Sequence, residues 1–538
     1  MAASKKTIRA SPQNRAYSTP VLVGILALVV LVLFSPSLTY GFVYDSRAQV
    51  LIGDFIHNRD NILPVLTFQV MSWDIIDFNR PVQLASLMFD SLIWGKNPFG
   101  YHLTNVVLHA IATCLTFLLI RHILILENPK AIIARQNFTA FLATLFFAVH
   151  PFVTEVVCEP SNRKDSLAAV FGLTALLLLT RHSAANSQGD GLRLVLGTLL
   201  SLLAIGTKEV GVVVPAIIFL YWFLFRRQEP AKFWIAAIAG STLAAIAFLI
   251  ARFSLAHQKS EVFLNPPLYP GGSLTAALLI QPRILTFYIL NLFWPANLNA
   301  DYDGYSIRFI DLLPALLILG VISAFLLWWS WKDRRAFFGA GIIAAAMLPV
   351  CNLVPIYHPM ADRYLYIPLI GTALLVAIAL SHPWMSDRAL HRKIATFLVV
   401  AITAILSVVT LQREWAWSTD ISLWQDTLRG NPRSFAALVN LPECLLDAGR
   451  LEESRAQYEA TLRTPYKDNA WVWAGYAIIL NRLGDQTHSK MAVERALAAK
   501  PDLLDTEKMV HTMQTDRNFA EEFARIAADF QKTPSQNP

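Results

Sequence analysis

The chain has 538 residues, 55% hydrophobic and only 15% charged, with a formal net charge of +7 and a mean hydropathy of +0.45. Soluble domains carry about 25% charged residues, so this composition excludes an ordinary soluble protein, and with it disordered, collagenous and disulfide-rich classes. The basic excess reads as the charge asymmetry of membrane loops rather than as a nucleic-acid surface.

Apolar runs occur at 20–40, 101–126, 137–153, 164–182, 192–207, 209–226, 232–254, 309–331, 337–355, 363–381 and 394–411. They match the roughly 20 residues that cross a hydrocarbon core of about 30 Å. The expected fold is therefore all-α, a polytopic helical bundle of eleven spans. The first run follows Lys5, Lys6, Arg9 and Arg15 without a small-x-small cleavage site, and reads as an uncleaved span. A further stretch, 275–294, contains Pro282, Arg283 and Asn291. Counted as a span it would put Lys332, Arg334 and Arg335 outside, so an interfacial or re-entrant helix is expected there.

This arrangement predicts an integral protein of a bacterial inner membrane or its equivalent. Its N-terminus is expected in the cytoplasm, and its C-terminal region on the periplasmic or lumenal side. The first outer loop, 41–100, is the longest, and its apolar segments 62–76 and 80–94 suit helices lying at the surface. From residue 412 charged residues return, giving domains at 1–411 and 412–538. In the second, a 35-residue period aligns Gly449 with Gly484, Tyr458 with Val493, Thr461 with Ala496 and Tyr466 with Pro501. Helix pairs of that period resemble tetratricopeptide repeats. Two repeats are fewer than a buried core needs, so helices at 412–430 and 503–530 are expected to cap them. The four cysteines, Cys114, Cys158, Cys351 and Cys444, lie far apart and form no disulfide framework.

Polar residues at the outer membrane ends are the candidates for chemistry, because ionisable groups near hydrocarbon are costly. These are Asp45; His150 and Glu155, with Asn162 to Asp165 around Arg163; Lys208 beside Glu209; and His358 with Asp362 and Arg363. On the expected topology all face one side and would converge on one outer cavity. A carboxylate beside cations suits transfer from a lipid phosphate: the acid takes a proton from an acceptor hydroxyl, and Arg and Lys hold the leaving phosphate. The plainer readings stay open, namely a loop acid at Asp45, structural pairs at Glu155 and Arg163 or Asp362 and Arg363, and a depth marker at Lys208. His57, His102 and His109 read as packing histidines, and no spacing is specific for a metal. Neither a phosphate-cradling glycine loop nor a Gly-x-Ser-x-Gly element occurs.

Three ordered motifs carry a resemblance. The first runs from Arg80-Pro81 to Gly95, Pro98, Gly100, Tyr101, His102, Asn105 and His109. The second runs from Phe147 through His150-Pro151 to Thr154-Glu155. The third comprises Pro349 and Asn352, then Asp362-Arg363, Tyr366 and Pro368. Across nearly the whole chain these are similar to the transmembrane O-mannosyltransferases with tetratricopeptide repeats, within the GT-C glycosyltransferases. The resemblance implies metal-independent, inverting transfer of one sugar from a polyprenyl-phosphate donor to a hydroxyl, on a protein or a glycan presented by the repeats. It implies no cofactor beyond the lipid-linked sugar. It assigns the general base to Asp45, followed here by Ser46 where family members commonly have a second acid. Donor-phosphate contacts fall to Arg163, Arg363 and Lys208, and support of the site to Glu155, His150, Arg80 and His102. Rival readings are a non-catalytic membrane scaffold and a transporter of polyprenyl-linked sugars.

Overall fold

The computed structural model describes residues 18–73, 75–183, 188–256, 268–302, 311–385, 388–513 and 516–532. The basic residues Lys5, Lys6, Arg9 and Arg15 lie outside that set. Among the described residues the regular structure is helical and contains no strand. Contacts divide the chain into two compact units: 1–40, 55–296 and 308–414, and 41–54, 297–307 and 415–538. The second therefore contains, besides the C-terminal region, two short segments drawn from within the membrane part.

The first unit is an integral-membrane bundle. Eight of its described helices are long and apolar enough to cross a membrane: Pro98–Glu127, Asp190–Thr207, Glu209–Arg226, Ala231–Leu255, Leu274–Phe293, Leu312–Lys332, Asp362–His382 and Ala389–Ala416. The pair Ile133–Val149 and Pro151–Cys158, bent by 53°, makes up to nine. The expectation of eleven is corrected in both directions. Helices Thr19–Leu33, Arg163–Leu179 and Arg334–Met347 reach only 15, 17 and 14 residues. Proline, glycine or charge ends each apolar run before a full span forms. In the other direction, 275–294, expected at the interface, forms a continuous 20-residue helix of span length with Pro282 inside it. Leu312–Lys332 buries only 6% of its apolar window and Ala389–Ala416 only 17%, so both offer nearly their whole circumference to lipid.

Local sequence explains how the inner helices are set. Pro98 starts the 30-residue helix Pro98–Glu127, and the Asn97 side chain accepts the Phe99 N–H at 3.1 Å. Gly100 is required there: a Cβ at this position would sit 2.1 Å from the Trp94 ring. Asn105 donates to the carbonyls of Val156, Val157 and Glu159. His109 donates through Nε2 to the Ala148 carbonyl at 3.1 Å, and its Nδ1 lies 2.8 Å from the Tyr366 hydroxyl. Residues from all three sequence motifs thus meet around His109.

In the second unit, Phe435–Asp447 and Leu451–Leu462 form a hairpin, and Ala470–Arg482 and Gln486–Ala499 repeat it 35 positions later. Gly449 and Gly484, with φ of +71° and +83°, make the two turns. Ser454 donates to the Pro442 carbonyl at 2.7 Å, and Ser489 to the Ala477 carbonyl at 2.9 Å. The same bond therefore recurs at the same period. The helix Arg517–Lys532 adds Phe519, Phe523, Ile526 and Ala527 to the core of the second hairpin.

Candidate active site

The first unit gathers a dense group of buried acids and cations at the starts of several helices. Glu155 opens the short helix Thr154–Cys158. Its Oε2 accepts the Arg363 N–H at 2.9 Å, and its Oε1 is bonded to the Arg363 guanidinium and to Asn162. Lys208 sits between two spans and donates to both Asp165 oxygens at 2.6 and 2.7 Å. The Tyr364 ring lies 5.4 Å from the Lys208 ammonium and 5.5 Å from the Arg363 guanidinium, so one aromatic ring serves both cations. A second shell of charge follows. Asp77 bonds Arg80 and Gln83, and lies 3.5 Å from Lys164. Glu209 pairs with Arg80 at 3.2 Å and with Arg252 at 3.1 Å.

Burial penalises each of these charges, and the partners decide which survive. For Asp77 burial alone would raise the carboxyl, but Lys164, Arg80 and Gln83 outweigh it and hold it low. For Lys208 burial wins: despite Asp165, the ammonium is pulled down to about 8. Burial, then the fields of Arg363 and Lys164, lower His358 to about 3 and keep its imidazole neutral. The arrangement can hold an anionic group on cations already oriented by carboxylates, in a medium where such contacts are strong.

The other sequence candidates fall elsewhere. Arg163 is completely buried and spends its donors on Asp90 at 2.5 Å, the Tyr101, Pro160 and Ser86 carbonyls, and the Ser86 hydroxyl. It locks the start of helix Arg163–Leu179 to Pro81–Trp94. Both His150 nitrogens are used within the fold: Nδ1 accepts the Phe152 N–H, and Nε2 donates to the Leu292 carbonyl at 3.1 Å. His150 thereby shapes the bend between the two halves of the broken span. His102 is buried edge-on against Tyr40, with ring centres 6.4 Å apart. Arg80 lies in the charged group.

Asp45 belongs to the second unit. It follows Tyr44, whose φ of +54° is unusual for a bulky residue. The Tyr44 N–H donates to Asp420, and Arg47 pairs with Asp420 at 3.3 Å and Asp447 at 2.5 Å. Ser46 donates to the Val43 carbonyl at 2.7 Å. These contacts fix the turn that presents Asp45. Sequence reasoning missed Asp77, whose one local signal was Arg80 three residues later. It named Asp165 and Glu209 without giving them a role.

The geometry can be set beside proteins already characterised. At 25% identity the chain matches a Caenorhabditis elegans protein O-mannosyl-transferase over 78% of its own length and 59% of that protein's. Human protein O-mannosyl-transferase TMTC3 matches at 24% identity over 79% of this chain and 49% of the relative. Its curated relatives are protein O-mannosyl-transferases. A Drosophila melanogaster member, Tmtc1, is 25% identical over 82% of this chain and 61% of its own. The chain thus spans between half and three fifths of these relatives. No family model matches it. A solved structure, ArnT from Cupriavidus metallidurans bound to undecaprenyl phosphate, covers 96% of this chain and 81% of that one at 15% identity, with a TM-score of 0.35.

Proposed function

We propose that this chain is a GT-C-type membrane glycosyltransferase that moves one mannose-like hexose from a polyprenyl-phosphate donor to a hydroxyl, of protein Ser or Thr or of a glycan. The observation that carries this reading is the pair of oriented cations, Lys208 on Asp165 and Arg363 on Glu155, at the membrane ends of three helices. Oriented cations of this kind stabilise a phosphate leaving group as its charge develops. Asp45 takes the proton of the acceptor hydroxyl. The hydroxyl oxygen bonds to the sugar's anomeric carbon as the bond from that carbon to the phosphate oxygen breaks, with inversion. Polyprenyl phosphate departs on Lys208 and Arg363, and Arg163 serves by holding the start of the helix that carries Asp165. The helix hairpins of the second unit recruit the acceptor from the periplasmic or lumenal side, with the N-terminus in the cytoplasm.

The test offers labelled polyprenyl-phosphate sugars to purified protein in lipid, with wild type and Asp45→Asn side by side. Transfer by wild type, lost in a variant of unchanged thermal midpoint, is expected. Undiminished turnover by Asp45→Asn would remove the base, and silence of the wild type across the panel would favour a scaffold.

A further inference from the structure

The helix Leu274–Phe293 is about 30 Å long at 1.5 Å per residue, enough to cross a bilayer core, yet its contacts hold both ends on one side. Arg334 bonds Glu127 at 2.8 Å and the Leu224 carbonyl at 3.0 Å. The ends of Pro98–Glu127 and Glu209–Arg226 and the start of Arg334–Met347 therefore share one face. Lys208 stands at the other end of Glu209–Arg226, with the charged group. Leu274–Phe293 bonds to that charged side along its whole length. Just before it, the Tyr269 hydroxyl donates to the Leu353 carbonyl at 3.3 Å. Gln281 accepts from Asn352 at 3.0 Å, and the Tyr288 hydroxyl accepts the Ala361 N–H at 2.9 Å and donates to the Ala361 carbonyl at 3.1 Å. At its end the Leu292 carbonyl accepts from His150. Thr286 donates to the Ala315 carbonyl at 3.4 Å, and Ala315, in the first turn of Leu312–Lys332, is the one residue of that helix that is buried. Two crossing helices packed side by side would bury a stripe of each.

The rest of the helix surface is apolar and uncovered: Leu278, Leu279, Leu290, Phe293 and the following Trp294 are exposed. Half-buried Arg283 stands at the flank of this face, and among the described residues no carboxylate pairs with it and its Nε is unbonded. We infer that Leu274–Phe293 lies flat in the headgroup layer on the charged side, with its apolar face among phospholipid acyl chains and Arg283 against a phospholipid phosphate. From there it clamps the charged group. Ala361 precedes Arg363 by two positions and His150 precedes Glu155 by five, so Tyr288 and Leu292 hold the segments that carry both members of that ion pair. The occupant is lipid because the uncovered face continues onto the start of Leu312–Lys332, which is exposed on nearly its whole circumference. An unpaired cation beside apolar surface also complements a lipid phosphate. The inference goes beyond the transferase reading and does not depend on it.

Nitroxide labels at Leu279→Cys, Leu290→Cys and Phe293→Cys, with Cys114→Ser and Cys351→Ser, report depth in phospholipid vesicles through collision with oxygen and a nickel chelate. All three are expected at one shallow depth, about 5–10 Å below the headgroups. A crossing helix would spread them over about 20 Å and overturn the proposal. Labels screened from both reagents would also overturn it, showing that a protein or a second copy covers the face. Leu278→Cys replaces any of the three that fails to fold. Arg283→Leu should shift the Leu290 label deeper, and an unmoved label would remove the phosphate contact. Tyr288→Phe should speed amide exchange at 360–364 about tenfold, as a buried hydrogen bond is lost, with label depths unchanged. Unchanged exchange would sink the clamp.

Discussion

Lys208 keeps its charge near neutral pH although burial pulls its ammonium down to about 8 from an ordinary 10.5. Between those values the unfolded chain binds more protons than the folded one, so this group makes stability rise with pH across that window. Its effect on donor binding runs the opposite way, because the cation is lost as pH passes about 8. The donor KM is expected to rise above that pH, approaching roughly tenfold per unit at the limit. Lys208→Arg, which stays charged, should move that rise to higher pH. A KM flat from about pH 7 to 9.5 would separate Lys208 from the donor phosphate. Arg163 answers differently. Arg163→Met leaves Asp90 buried without its cation, and should cost about 3–5 kcal/mol in unfolding free energy, read as a lower thermal midpoint. As for what could be read beforehand, the identity of the charged residues was plain in the sequence. Their pairing was not, because Asp165 meets Lys208 and Glu155 meets Arg363 across 43 and 208 positions.

The hairpins of the second unit were legible as elements because glycine marks each turn and the same packing positions return after 35 residues. Gly449 has open space around its Cβ position and a φ of +71°. Gly449→Ala should therefore cost only the strain of a left-handed residue, roughly 1–2 kcal/mol. Gly475 is constrained by contact instead, since a Cβ there would fall 1.9 Å from the buried Tyr458 hydroxyl. Gly475→Ala should destabilise this unit by about 1–3 kcal/mol through overpacking, and Tyr458→Phe should recover part of the loss. Denaturant unfolding followed by Trp fluorescence distinguishes the two substitutions. If Gly475→Ala proved as stable as wild type, the helix pair could not be packed this closely. Pro442 stands within a helix and keeps its carbonyl bonded to Ser454, as Ala477 does to Ser489 in the second hairpin.

At the scale of the molecule, the number of crossings decides which side each loop occupies, and each helix that does or does not cross changes the parity. Leu274–Phe293 has the length of a span, while the cations at 332–335 favour keeping it from crossing. The proposed topology places the second unit on the outer face. In spheroplasts of a strain expressing Glu494→Cys, an exposed site in helix Gln486–Ala499, a membrane-impermeant maleimide should label without permeabilisation. Labelling only after permeabilisation would place the second unit inside and overturn the proposed topology.

The sequence by itself determined the membrane class, the helical character and the repeat, because all three are properties of local composition and period. Apolar residues 20 long, or glycine every 35, need no partner to be recognised. Only the tertiary structure decided the roles of individual polar residues. Arg163 and His150 stand close to Glu155 in the chain, yet their hydrogen bonds are consumed in holding a helix start and the bend. Asp77, inconspicuous in the sequence, joins the charged group through Arg80 and Lys164. The turn that carries Asp45 is held, through Tyr44 and Arg47, by Asp420 and Asp447 from the far end of the chain. A buried charge survives only where an opposite charge reaches it, and which one does so is a matter of packing that no local pattern encodes.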